Sequence, residues 1–123
     1  MIDPPFLVSA CLIGIPCRFD GKSCRRPRIQ ALLKNHGLIF ACPEQLGGLP
    51  TPRAKSRRRG RRVLTALGRD VTAEFDRGAK AFIRIARQFK IRRAYLKSRS
   101  PSCGERGIVR ELLPRKIKVE YIE

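Results

Sequence analysis

Residues 72–97 read TAEFDRGAKAFIRIARQFKIRRAYLK. Phe75, Ala79, Phe82, Ala86 and Phe89 recur at 4-3-4-3 spacing. That spacing places them on one stripe of an α-helix, which predicts a long helix with this stripe in the core. Thr72 stands where an N-cap belongs, since its hydroxyl can accept from a backbone N–H of the first turn. AYLK, residues 94–97, drops the helical period and reads as a short buried strand.

The same alternation extends outward. Toward the N-terminus, FLVSACL (residues 6–12) reads as a buried strand ending in small residues. Gly14, Pro16, Asp20 and Gly21 mark a loop, with Asp20–Gly21 a turn. Pro27 opens a helix with Ile29, Leu32 and Leu33 on one face, and Gly37 stops it. At that helix's C-terminal end the charge of His36 is favoured, so it needs no catalytic role. LIFAC (residues 38–42) is a second strand, and PEQLGGLPTP (residues 43–52) reads as loop, its Gly47–Gly48 pair as a turn. Residues 53–62 carry seven basic side chains and no acid, a pattern expected of a mobile or partner-ordered loop. Toward the C-terminus, SRSPSCGERG (residues 98–107) is a loop. Ile108, Val109, Leu112 and Leu113 suit a short helix ended by Pro114, and IKVEYI (residues 117–122) is a last strand. Strands alternating with helices predict an α/β fold with a mostly parallel sheet. At 123 residues, with no internal repeat, the chain is expected to form one domain, 1–123.

Composition narrows the function classes. No apolar run is long enough for a membrane helix, and no export signal is read at the N-terminus, so a cytoplasmic location without membrane is expected. Lys and Arg number 28 against 10 acidic residues, a net charge of +18. Such a surplus favours phosphate-bearing partners, tRNA or nucleotide, and Arg53, Arg57, Arg58 and Arg59 are the candidate polyanion-binding residues. With only two Tyr and no Trp, base stacking is not advertised.

Five cysteines, 11, 17, 24, 42 and 103, are an odd number, which disfavours a disulfide scaffold, and many for a small reducing-compartment protein, which points to metal or redox chemistry with buried structural thiols as the plain alternative. Cys11 and Cys42 fall at the carboxyl ends of two expected strands, and Cys103 lies in the loop after a third. In an open parallel sheet those ends share one edge, where ligands bind, so the three can converge. Neither the close cysteine pairs of structural zinc nor a ferredoxin spacing is present, so spacing by itself indicates only a soft-metal site. Cys24, beside Arg25 and Arg26, is expected to be an exposed thiol without a role.

SACLIGIPCRFDGKS (residues 9–23), ACPEQLGGLPTPR (residues 41–53), DVTAEFDRGA (residues 70–79) and KSRSPSCG (residues 97–104) resemble a bacterial family that includes the thiouracil desulfurases. The resemblance implies a Rossmann-like three-layer domain holding a [4Fe–4S] cluster on three cysteines, with one iron open to the sulfur of a thiolated pyrimidine. It implies a non-redox hydrolysis of the C=S group, with sulfide released. It assigns Cys11, Cys42 and Cys103 as ligands, Glu44 as the acid/base and Ser100 as its helper. Cys17 lies in a matching motif and competes with Cys11 for a ligand role. A plain reading stands beside each catalytic assignment: Glu44 pairs with an arginine, and Ser100 and Ser102 accept backbone N–H groups in their loop. Two departures bear on substrate. Many members carry a longer segment after Cys103 than the ERGIV found here, and the arginine run at 53–62 is denser than the family's. A non-catalytic RNA-binding protein with a structural metal, and sulfur transfer in the reverse direction, are the competing readings.

Overall fold

The structure, a computed structural model, describes residues 3–123. Its centre is a four-stranded parallel sheet of β1 (Phe6–Ser9), β2 (Leu38–Ala41), β5 (Arg93–Lys97) and β6 (Lys118–Ile122). Spatial order is β2-β1-β5-β6. Phe6 faces Leu38 on one side of β1, and Leu7 faces Ala94 on the other. The helices are α1 (Pro27–Gln30), α2 (Pro43–Leu46), α3 (Thr72–Gln88) and α4 (Ile108–Leu112).

Alternation along the strands divides the core in two. Leu7, Ala94 and Leu96 join Phe75, Phe82 and Ile83 of α3 and Val109 of α4. Val8, Tyr95 and Ile122 join Leu12, Cys24 and Ile29 in a second cluster. Helical layers therefore cover both sheet faces, and the expected three-layer α/β arrangement is observed.

Several local expectations are corrected. Residues 56–65 are not a mobile loop. β3 (Ser56–Arg59) and β4 (Arg62–Thr65) form an antiparallel hairpin. Gly60, at φ 60°, turns it, and Val63 is buried in the core that α3 packs on. The 43–52 loop contains α2. Its Gly47 and Gly78 of α3 let two backbones meet: a Cβ at Gly78 would stand 1.8 Å from the Pro43 carbonyl oxygen. Thr72 is the first helical residue rather than the cap. Its N–H donates to Asp70 Oδ1 at 2.9 Å, while its hydroxyl accepts the Val63 N–H at 2.8 Å. Phe89 leaves the buried stripe, 49% exposed, because α3 ends one residue earlier. The helix at Pro27 gives way to a 3-10 turn at Ala31–Lys34, which takes Leu33 to the surface. Cys24 is buried, and Arg18 Nη1 donates to its sulfur at 3.0 Å.

Candidate active site

The four sheet strands end at one edge, and the turns that leave it carry the thiols. Cys11 sits in a 3-10 turn (Ala10–Ile13) directly after β1, and Cys17 in the loop beyond it. Cys42 occupies the single position between β2 and α2, and Cys103 the loop between β5 and α4. All four line one cleft of about 810 Å³. The cleft thus gathers Cys11, Cys42 and Cys103, and it adds Cys17, only 2% exposed.

These sulfurs stand close enough to perturb one another. The Cys17 thiol is pushed up to about 11, chiefly by its hydrogen bond with the Cys11 thiol and further by burial. Cys42 is raised by its hydrogen bond with the Cys17 thiol, by burial and by the nearby Cys17 and Glu44 charges. Cys103 is pushed up to about 12, first by burial and then by the charges at Cys42 and Glu44. Crowded thiols in a low-dielectric site cannot all ionise without a cation to share them.

Glu44 lies in the first turn of α2 and is buried. Arg53 Nε donates to Oε1 at 3.0 Å, and the Ser102 hydroxyl donates to Oε2 at 2.8 Å. Ser102 Oγ is also 3.0 Å from Ser100 Oγ. The direction of that contact follows from counting protons. The Ser102 hydroxyl has one proton, and the bond to Glu44 uses it. Ser100 must therefore donate to Ser102. Ser100 Oγ in turn accepts the N–H groups of Ser102 (3.2 Å) and Cys103 (3.1 Å). Both plain readings hold as well: Glu44 pairs with an arginine, and Ser100 accepts backbone amides. Ser102 is the residue that sequence reasoning had left as loop support. Its S-x-S spacing within KSRSPSCG was the available signal, but only the fold brings it to Glu44.

The 98–107 loop has its own internal anchor. Glu105 accepts from Ser98 Oγ at 2.9 Å and from the Arg99 N–H at 3.0 Å. These bonds, the Arg99 N–H first, hold its carboxyl below the usual range. Glu105 lines the cleft and had no role in the sequence reading.

Basic side chains complete the lining: Lys55, Arg57, Arg58, Lys97, Arg99 and Arg106. The arginines expected to meet a polyanion divide by environment. Arg53 is inward, its side chain 6% exposed and bonded through all three nitrogens, so its assignment to a phosphate is corrected. Arg58 binds the Gly60 and Arg106 carbonyls and Glu111. Arg57 and Arg59, alternating with it along β3, are exposed and have no carboxylate partner among the described residues. His36 stacks on Phe6 at 4.4 Å and does not line the cleft.

Fold and site together define a class: a three-layer α/β protein with buried thiols gathered at the carboxyl edge of its parallel sheet, beside a clamped carboxylate. The chain belongs to the 2-thiouracil desulfurase family, whose model matches residues 6–118. It is 36% identical over 108 residues to the uncharacterized protein YbbK of Bacillus subtilis (strain 168), covering 80% of this chain and 72% of that one. A solved structure described as the [4Fe-4S]-dependent thiouracil desulfidase TudS superposes with a TM-score of 0.87 at 40% identity. That match covers 97% of this chain and 91% of TudS.

Proposed function

We propose that this protein is a [4Fe–4S]-dependent desulfurase that hydrolyses the C=S group of a thiolated pyrimidine to C=O and releases sulfide. The observation that carries the reading is the buried carboxylate of Glu44 at the wall of a cleft lined by four cysteines. Family membership and the likeness to TudS support it.

The donor set fits such a cluster. Sulfur donors are the ligands these clusters take, and thiols raised by crowding gain most from a cation that accepts them as thiolates. Among the described residues no three His, Cys, Asp or Glu side chains suit a single metal ion. A cluster presents separate irons to separate thiolates, so its ligands need not converge on one atom. Cys11, Cys42 and Cys103 would hold it, with Cys17 as the alternative to Cys11. When bound, the cluster would supply Lewis-acid chemistry toward a thiocarbonyl sulfur.

The chain's own residues supply the proton chemistry. Substitution of sulfur by water consumes one water and yields H₂S, with no net electron transfer. Glu44 takes a proton of the attacking water at its carboxylate and gives it up again for the departing sulfur, with the Ser102 and Ser100 hydroxyls as its proton-exchange partners. The buried walls limit bulk water, which strengthens each of these hydrogen bonds.

A second reading of the substrate rests on a different observation. The basic lining offers nothing to a neutral base but suits a phosphate. A thiolated nucleotide or thiouridine in tRNA uses Arg57 and its neighbours, while free thiouracil does not. Anaerobic purification with iron and sulfide analysis tests the cluster. A sulfide-release assay across thiouracil, a thiouridine monophosphate and thiolated tRNA tests the reaction. A protein that takes up no cluster on reconstitution overturns the proposal. RNA binding without sulfide release from any substrate returns a non-catalytic RNA-binding role.

A further inference from the structure

We infer that Arg53 is a positioning residue for Glu44, and that the segment CPEQLGGLPTPR (residues 42–53) is folded back on itself to make this clamp. The inference rests on the desulfurase reading, since it assigns Arg53 a part in orienting that reaction's carboxylate.

All three guanidinium nitrogens are engaged. Nε donates to Glu44 Oε1 at 3.0 Å and Nη2 to the Cys17 carbonyl at 2.9 Å. Nη1 donates to the Pro50 carbonyl at 3.2 Å and to Thr51 Oγ1 at 3.0 Å. The side chains of Arg53 and Glu44 are only 6% and 11% exposed. Arg53 itself is pinned by Pro50 and Thr51, three and two residues before it, so it is a fixed donor rather than a swinging one. Gln45 Nε2 donates to Thr51 Oγ1 at 2.9 Å, which closes the segment a second time.

Three consequences follow. One carboxylate oxygen of Glu44 is held by Arg53 and the other by Ser102, so rotation of the carboxyl group would break one of two charge-assisted bonds. The same guanidinium ties α2, which carries Glu44, to the Cys17 loop, so the carboxylate and the thiols keep one relative position. The pair is buried, so a phosphate on the surface cannot compete for Arg53. A lysine at 53 keeps the charge but presents no planar fork, and it cannot reproduce bonds in four directions.

A double-mutant cycle in the cluster-loaded protein tests this, with iron and sulfide content measured on each variant. In Arg53→Gln, kcat for sulfide release should fall by about 10²-fold, with KM changed by no more than about threefold. Arg53→Lys should fall between this variant and wild type. In a Glu44→Gln background, Arg53→Gln should cost no more than about threefold further, because a residue acting through Glu44 has nothing left to orient. Amide hydrogen exchange gives a readout independent of turnover. Arg53→Gln should speed exchange at residues 44–47 and 17–18 together. Losses that multiply in the double variant, or a kcat for Arg53→Gln within about twofold of wild type, overturn the inference. If wild-type protein releases no sulfide, the desulfurase reading fails. The exchange data then decide the clamp alone: coupled exchange in the two segments upholds it, and independent exchange overturns it.

Discussion

The Ser102 hydroxyl donates to Glu44 Oε2 over 2.8 Å, joining residues 58 positions apart. This bond connects the loop that carries Cys103 to the short helix that follows Cys42. Ser100 reaches Glu44 only through it. Ser102→Ala should therefore lower kcat by about 10²-fold while leaving the cluster content unchanged. Steady-state sulfide release with parallel iron analysis measures both. Equal turnover in Ser102→Ala and wild type would remove the hydroxyl chain from the proton path.

The ligand set makes a separable prediction. Cys42→Ser and Cys103→Ser should each lose iron and sulfide after anaerobic reconstitution, because thiolates are the cluster's ligands. Cys11→Ser should do the same, and Cys17→Ser should keep the cluster. Iron and acid-labile sulfide counts with the visible absorption spectrum decide it. Retention in Cys11→Ser with loss in Cys17→Ser would transfer the ligand role to Cys17.

The glycine contact under the site concerns stability. A methyl group at Gly78 would lie 1.8 Å from the Pro43 carbonyl oxygen, and one at Gly47 would lie 1.9 Å from that of Glu74. Both obstacles are backbone, so the helices must separate. Ala improves helix propensity at position 78 by about 1 kcal/mol. Overpacking costs about 1–3 kcal/mol, and a contact this short belongs at the upper end, so the clash wins. Gly78→Ala should lower the urea midpoint, and by displacing α2 it should also lower kcat. An unchanged midpoint would mean that α2 is free to shift without cost.

The start of α3 gives a pH dependence. The Asp70 carboxyl is held down from 3.8 to about 2 by hydrogen bonds with Thr72, then by Arg62. A depressed carboxylate pKa contributes stability that is present above the unfolded value and lost as pH falls through the folded one. Asp70→Asn should therefore have a lower Tm than wild type at neutral pH, and the gap should close between about pH 4 and 2. The group is exposed, so the gap should be small. Thermal melts followed by circular dichroism at several pH values check it, and a gap that widens in acid would contradict the assignment.

The hairpin arginines discriminate between substrates. Neutralising Arg57 and Arg59 to Gln should raise KM for a thiouridine monophosphate or thiolated tRNA, and should flatten the salt dependence of the tRNA reaction. Free thiouracil should be turned over as in wild type. Equal losses on all three substrates would assign these arginines to the structure of the hairpin instead.

Much of the fold was readable from local pattern. The 4-3-4-3 stripe of α3, the short apolar strands and the breaker residues between them depend on nearest neighbours and burial, which leave a periodic trace in the chain. The carboxyl edge of the sheet, and with it the placing of Cys11, Cys42 and Cys103, follows from strand direction. The hairpin at 56–65 left no such trace. Its arginines satisfy a strand's alternation with charge, and only the burial of Val63 against α3 makes it an element. Cys24 was misjudged because its sequence neighbours are arginines, whereas its neighbours in space are apolar.

The sequence by itself determined the layered α/β plan, the family and the thiols that meet at one edge, because each rests on short-range periodicity or on an unbroken motif. Tertiary structure alone decided that Cys17 joins those thiols, that Ser102 rather than Ser100 touches Glu44, and that Arg53 turns inward while Arg57 stays exposed. Hydrogen-bond partners many residues apart are selected by geometry at the few-ångström scale. A serine or an arginine carries the same letters whether its donors meet water, a phosphate or a buried carboxylate.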